Sequence, residues 1–155
     1  MAPSRPLVLL TVLLSLTLIA AKRMTCPGNW MKFENLCVWP SNSSMTNWEA
    51  IEECKKRGAD LLFINNSEEN YFLAGILFVM RMDTVWLGLN DLRLDHVYEW
   101  EGKEKLTYTN FFKGEPYDRK RHPEDCVAMN KELGYKWSSE YCFDYKLFVC
   151  RKRLS

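Results

Sequence analysis

Val85-Trp86-Leu87-Gly88-Leu89-Asn90-Asp91 is the stretch on which the architecture turns. Its first five residues are apolar or glycine, with no polar alternation. A run that short and that apolar fits a strand buried on both faces. Just upstream, Ser67-Glu-Glu opens a helix through about Met80, with Ser67 as N-cap and Glu68 and Glu69 at the positive end of the dipole. That helix is apolar nearly all round, through Tyr71, Phe72, Leu73, Ile76, Leu77, Phe78 and Val79. Burial on two sides is the favoured expectation, and a dimer interface is the alternative. Further out, Thr46-Asn-Trp-Glu49 has the capping-box pattern. A helix to about Arg57 should follow, stopped by Gly58, with Trp48, Ile51 and Cys54 on one face.

The flanks read as short strands. Cys26 to Trp39 has the look of a hairpin, with Pro27-Gly28 as a turn signal. Downstream, Val97-Tyr-Glu-Trp100 is a second strand and Glu101-Gly102 a turn. Thr109 to Asp125 is polar and rich in turn residues, the pattern of a long functional loop. Strands around Cys126-Val-Ala-Met129 and Leu147-Phe-Val-Cys150 close the chain. Two early helices and many short strands give an α+β domain.

Composition narrows the class. The net charge of +1 gives no electrostatic case for nucleic acid or an anionic membrane as partner. Behind Arg5, the apolar run Leu7 to Ala20 is about 14 residues, short for a bilayer span and right for a secretory signal. Cleavage is expected after Ala21, which makes 1–21 a signal peptide and 22–155 one domain with its core over 26–151. An uncleaved anchor is the alternative. No second run is long enough to span a membrane. The six cysteines, in an oxidising compartment, predict three disulfides, and their number alone leaves the pairing open. No C-x-x-C pair supports zinc. Asn42-Ser-Ser and Asn65-Asn-Ser are candidate glycosylation sites.

Cys26-Pro-Gly-Asn-Trp-Met-Lys-Phe33, Cys37, the helix carrying Cys54, Trp86 to Asp91, Glu115-Pro116, Glu124-Asp-Cys126 and the span Cys142 to Cys150 occur in one order and spacing. Together they resemble the long-form C-type lectin domain, over essentially all of Cys26 to Cys150. The resemblance implies two helices and antiparallel strands with a long ligand-binding loop. It also implies the pairs Cys26–Cys37, Cys54–Cys150 and Cys126–Cys142.

Sugar-binding members of that family hold Ca²⁺ on the long loop. The ligands are a Glu-Pro-Asn or Gln-Pro-Asp tripeptide, a later Glu, and an Asn-Asp pair after a Trp. Here Glu115-Pro116 is followed by Tyr117 where Asn or Asp is expected. Glu124 matches the later Glu. Trp137 is followed by Ser138-Ser139 where Asn-Asp is expected. Loss of a carboxylate leaves Glu115 and Glu124 a weak pair for a hard cation, unless Asp118 enters through a slightly longer loop. Asp91, Asp95, Asp118, Glu124 and Asp125 match the family's structural Ca²⁺ positions. A solvated acidic loop, or Asp91 and Asp125 bonding backbone turns, is the alternative. A structural Ca²⁺ is therefore more expected than one in the sugar site.

Arg119-Lys120-Arg121-His122 could grip sulfate, phosphate or a sialic carboxylate without calcium, or be a solvated loop tip. Tyr117 and Tyr141 could stack on sugar rings, and Trp137 is expected in the core. No G-x-S-x-G motif occurs, and His96 and His122 have no triad spacing, so no enzyme is expected. The expectation is a secreted recognition protein for a glycan or glycoprotein, through a loop over 110–124, with a role in innate recognition or agglutination. Agglutination would need a homo-oligomer, since one weak site gains strength by multivalency. The competing expectation is a lectin fold without sugar binding that meets a protein partner or an extracellular matrix or mineral phase.

Overall fold

In the computed structural model, which describes residues 25–102, 105–117 and 125–154, β4 (Thr84–Asn90) lies between two hydrophobic clusters. Val85, Leu87 and Leu89 enter one cluster and Trp86 enters the other, as strand alternation requires. The sheet order is β1 (Met31–Phe33), β2 (Leu36–Pro40), β8 (Leu147–Arg153), β4, β6 (Cys126–Asn130), β7 (Lys136–Glu140). Two short strands join it: β3 (Asp60–Leu61) pairs with β8, and β5 (Glu99–Trp100) with β4. The β4–β8 pair is parallel and the other strand pairs are antiparallel. Gly88 sits where β4 is crowded. A Cβ there would meet the Leu61 carbonyl oxygen at 3.2 Å, and the Gly88 amide and carbonyl bond Leu62 and Glu101.

Helix α1 (Asn47–Lys56) begins at the predicted capping box. The Thr46 side chain accepts from the Glu49 amide, and Glu49 Oε2 accepts from the Thr46 amide at 2.9 Å. Its buried face is Asn47, Ala50, Ile51 and Cys54. Trp48 departs from the predicted face: it is 38% exposed and packs on Phe143 at 4.7 Å between ring centroids. Helix α2 (Ser67–Val79) is capped by Asn66, one residue before the expected Ser67, because the Asn66 side chain accepts from the Glu69 amide. Only Asn70, Leu73 and Leu77 of α2 are buried. Burial on two sides is therefore corrected: one face of α2 packs on the core, and among the described residues only Met31 and Phe33 reach part of the other.

Other boundaries also shift. The hairpin turns at Glu34-Asn35, while Pro27-Gly28 makes a separate turn closed by the Trp30 amide on the Pro27 carbonyl. The strand expected at 97–100 is only Glu99–Trp100. Three strands, not two, close the chain, since Trp137-Ser138-Ser139 lies in β7. The three disulfides are Cys26–Cys37, Cys54–Cys150 and Cys126–Cys142, the pairs the resemblance implied. The expected signal segment 1–21 lies outside the described residues. No helix of the described residues is long and apolar enough to cross a membrane.

Arg151, only 2% exposed, ties β8 to α2. Its guanidinium donates to the Phe63 carbonyl and to Glu69 Oε2, and it lies 3.6 Å over the Phe63 ring. Breaking a buried pair strands the remaining charge. Arg151→Met should therefore lower stability by about 3 kcal/mol, read as a fall in the urea midpoint with the slope unchanged.

Candidate ligand loop and cation site

The described part of the long loop, 105–117, runs beside β7. The Trp137 amide donates to the Asn110 carbonyl and the Phe112 amide to the Trp137 carbonyl. Trp137 is fully buried, as expected. Trp100, Tyr108 and Phe111 pack edge-on to it with centroids 5.6–5.7 Å away. Its indole N–H donates to Asn70 Oδ1 at 3.0 Å, which couples β7 to α2.

This support delivers Glu115 to Ser139. Glu115 Oε2 lies within hydrogen-bond distance of the Ser139 hydroxyl at 2.6 Å, the Ser139 amide at 3.0 Å and the Tyr117 amide at 3.0 Å. The Ser139 hydroxyl also lies 2.9 Å from the Tyr117 carbonyl oxygen and accepts from the Tyr117 amide at 2.8 Å. The Glu115–Pro116 peptide is cis. Ser139 is buried, whereas Tyr117 is 55% exposed. Ser138 is turned elsewhere: its hydroxyl donates to Glu140 Oε1 at 2.7 Å, and Glu140 Oε2 pairs with Lys146 at 3.1 Å. Glu115, Tyr117 and Ser139 are thus brought together, and Ser138 belongs to a second cluster. Asp118, Arg119, Lys120, Arg121, His122 and Glu124 lie outside the described residues.

For Ca²⁺, these described donors fit poorly. One carboxylate oxygen already meets three protein donors, and the Ser139 hydroxyl is neutral, whereas the ion wants six to eight oxygens. Ser139, standing where the family's pattern has Asp, bonds both Glu115 and Tyr117 of the described loop.

A second group lies at the end of β4. Asp91, Asp95 and His96 offer ligand atoms within 4.8 Å of one another. Asp91 is 6% exposed; its Oδ2 accepts from the His96 amide at 2.9 Å, and its Oδ1 is buried with no hydrogen-bond partner. The Asp91 amide donates to the Asp125 carbonyl. Burial pushes the Asp91 carboxyl above its ordinary range. The His96 amide opposes that, and the Asp125 and Asp95 charges add to it. An orphaned buried carboxylate oxygen beside a second carboxylate is what a hard cation would satisfy, so Asp91 and Asp95 suit Ca²⁺, whereas the His96 imidazole nitrogen does not. His96 was missed as a member of this group because its left-handed backbone (φ 62°) is what turns it back toward Asp91.

Trp48, Tyr141 and Phe143 form an exposed aromatic cluster. Tyr141 and Phe143 meet at 5.2 Å, Phe143 meets Trp48, and Tyr141 lies two residues beyond Ser139. The candidate sequon residue Asn42 is exposed, and Asn65 is half-buried with its amide on Glu69.

Residues 43–152 match the family model for the lectin C-type domain, and the chain belongs to that family. It is 34% identical over 84% of its length to lymphocyte antigen 75 of Mus musculus, of which that match spans only 8%. It is 30% identical to perlucin of Haliotis laevigata, over 82% of this chain and 83% of perlucin. Among solved structures it resembles the cow C-type carbohydrate-recognition domain of CD23, determined in the presence of a GlcNAc2Man3 oligosaccharide. That likeness has a TM-score of 0.74 and 28% identity, over 84% of this chain and 98% of that one. Nothing in the family or in the site points to catalysis.

The raised Asp91 carboxyl has a pH consequence. Its folded value lies above the unfolded one, so stability is lost as pH rises through that interval and is regained on protonation. In EDTA, Asp91→Asn should raise the urea midpoint over that of the unsubstituted chain at pH 7. The gain should shrink at about pH 3, below the unfolded carboxyl value of roughly 3.9.

Proposed function

We propose that this chain is a secreted C-type lectin-like recognition protein that binds carbohydrate on the loop surface around Glu115 and Tyr117 without a cation there. The observation that carries the reading is the Glu115 carboxylate. Its Oε2 already meets Ser139 and Tyr117, so the loop holds its shape with a hydroxyl where the family's sugar site uses Asp and Ca²⁺. Exposed Tyr117 and Tyr141 offer ring faces for sugar C–H groups. Asp118, Arg119, Arg121 and Glu124 continue the loop and supply charge for an acidic glycan. The likeness to the CD23 carbohydrate-recognition domain supports a sugar as ligand. Three disulfides and two sequons support secretion. Ca²⁺ belongs to the Asp91 and Asp95 carboxylates, as a structural ion. More than one copy per particle would give agglutination or innate recognition its avidity.

A glycan array read with and without EDTA tests this. Signals that persist in EDTA, and that fall roughly tenfold in Ser139→Ala for the loss of about 1–2 kcal/mol of loop hydrogen bonding, are expected. Tyr117→Asn combined with Ser138→Asn and Ser139→Asp should rebuild the cation shell and make binding EDTA-sensitive. EDTA-sensitive binding by the unsubstituted chain would overturn the cation-free reading. Silence across the array would move the function to a protein, matrix or mineral partner.

Calcium has its own readout. Adding it should raise the melting temperature of the unsubstituted chain by about 4 °C for each kcal/mol of binding. Asp91→Asn should abolish that rise, and an equal rise in the variant would remove the ion from this group.

A further inference from the structure

We propose that the outer face of α2 is where two copies of this chain meet, packed antiparallel about a two-fold axis. The face is built from Tyr71, Phe72, Gly75, Ile76, Val79 and Met80, which with Met31 of β1 line one exposed apolar groove. Their spacing is the i, i+1, i+4, i+5, i+8, i+9 pattern of a single helical stripe. Tyr71 and Val79 are 77% and 78% exposed, whereas Phe72, stacked on Phe33, and Ile76 are half-buried. The opposite stripe, Asn70, Leu73 and Leu77, already anchors α2 to the core. A soluble monomer seldom leaves so continuous an apolar stripe in water.

Two further features select a second copy as the occupant. The first is Gly75, at the middle of the stripe. Glycine weakens a helix interior relative to alanine. Here a Cβ would meet nothing within 4 Å, and the backbone does not take the left-handed conformation that favours glycine. Nothing inside the chain asks for glycine at this position. A helix crossing at Gly75 does, because the missing side chain lets two helix axes approach closely. The second feature is charge. Glu68 is exposed at the start of α2 and Arg81 is exposed just past its end. Neither side chain has an ion-pair partner among the described residues. When two copies of α2 run antiparallel about Gly75, Tyr71 of one faces Val79 of the other. Glu68 of each then comes beside Arg81 of its mate. The two helix dipoles also oppose, which favours the same arrangement. The contact is isologous, so it closes at two copies.

A 13-residue helix is about 20 Å long. Its face is small beside the roughly 800 Å² per partner of a standard interface, so micromolar association is expected. The dimer stands independently of what the loop binds; if the loop binds glycan, it doubles the sites per particle.

Sedimentation equilibrium of the disulfide-bonded chain, from about 1 to about 300 µM, tests the proposal. A reversible monomer–dimer equilibrium is expected. Tyr71→Glu and Val79→Glu should each weaken it at least tenfold with unchanged circular dichroism, since both side chains are exposed. Glu68→Arg should weaken it roughly threefold to tenfold, and adding Arg81→Glu should restore it. That rescue reads the pairing itself, apart from any effect of apolar loss. A monomer at every concentration overturns the proposal. So does a dimer indifferent to the changes at Tyr71 and Val79. Binding of the monomer to phosphatidylcholine vesicles, lost in those variants, would also overturn it and assign the face to lipid.

Discussion

The Cys54–Cys150 disulfide joins the last turn of α1 to the middle of β8 across 96 residues. A loop that long gives the bond a large entropic effect on the unfolded chain, on the order of 4–5 kcal/mol in the chain-entropy model. Its position matters as much as its length. β8 is the strand against which β2, β3 and β4 pair, so fixing Cys150 fixes the centre of the sheet. Adjacent strand residues face opposite ways. Cys150 therefore holds α1 on one face, and Arg151 reaches Glu69 of α2 on the other. One two-residue step orients both helices against a common strand.

From that frame the loop acquires its shape by contact rather than by regular structure. The described loop has no strand of its own; it borrows β7 through the Asn110, Phe112 and Trp137 backbone groups. The aromatic packing round Trp137 makes that attachment stiff, and Asn70 carries it across to α2. Glu115 then arrives where Ser139 waits. In the family's sugar site a cation joins these two places. In this chain the Ser139 hydroxyl and two backbone amides meet the Glu115 carboxylate there. A buried carboxylate oxygen remains without a partner at Asp91, just past the end of the buried strand that organises the core. Among the described residues the two sites thus differ: the Glu115 carboxylate has three protein donors, and the Asp91 carboxylate keeps one oxygen without a partner.

Much was legible in the residues, and the reason is locality. Thr46 and Glu49 are three positions apart on one helical turn, so a capping box could be read directly. The unbroken apolarity of Val85 to Leu89 announced a strand buried on both faces, since a half-exposed strand would alternate. Asn66 and Ser67 are neighbours that both cap well, and only the realised hydrogen bond chose between them. The disulfide pairs came from the pattern as a whole, because cysteine number by itself leaves them undetermined.

What only the tertiary structure decided depends on partners distant in sequence. Glu115 and Ser139 are 24 residues apart, and Asn70 and Trp137 are 67 apart. No periodicity reports such meetings, so the reading that Ser138-Ser139 merely weakens a cation site could not say that Ser139 bonds Glu115 while Ser138 bonds Glu140. Helix α2 makes the same point about burial. A helix apolar on every side has no preferred face in its sequence, and only the sheet that packs on one side shows which residues are left for water or for another chain. The sequence determined which groups would seek apolar or hydrogen-bonded company; the tertiary structure decided which of them found it within the chain, because contact depends on chain geometry that no local pattern contains.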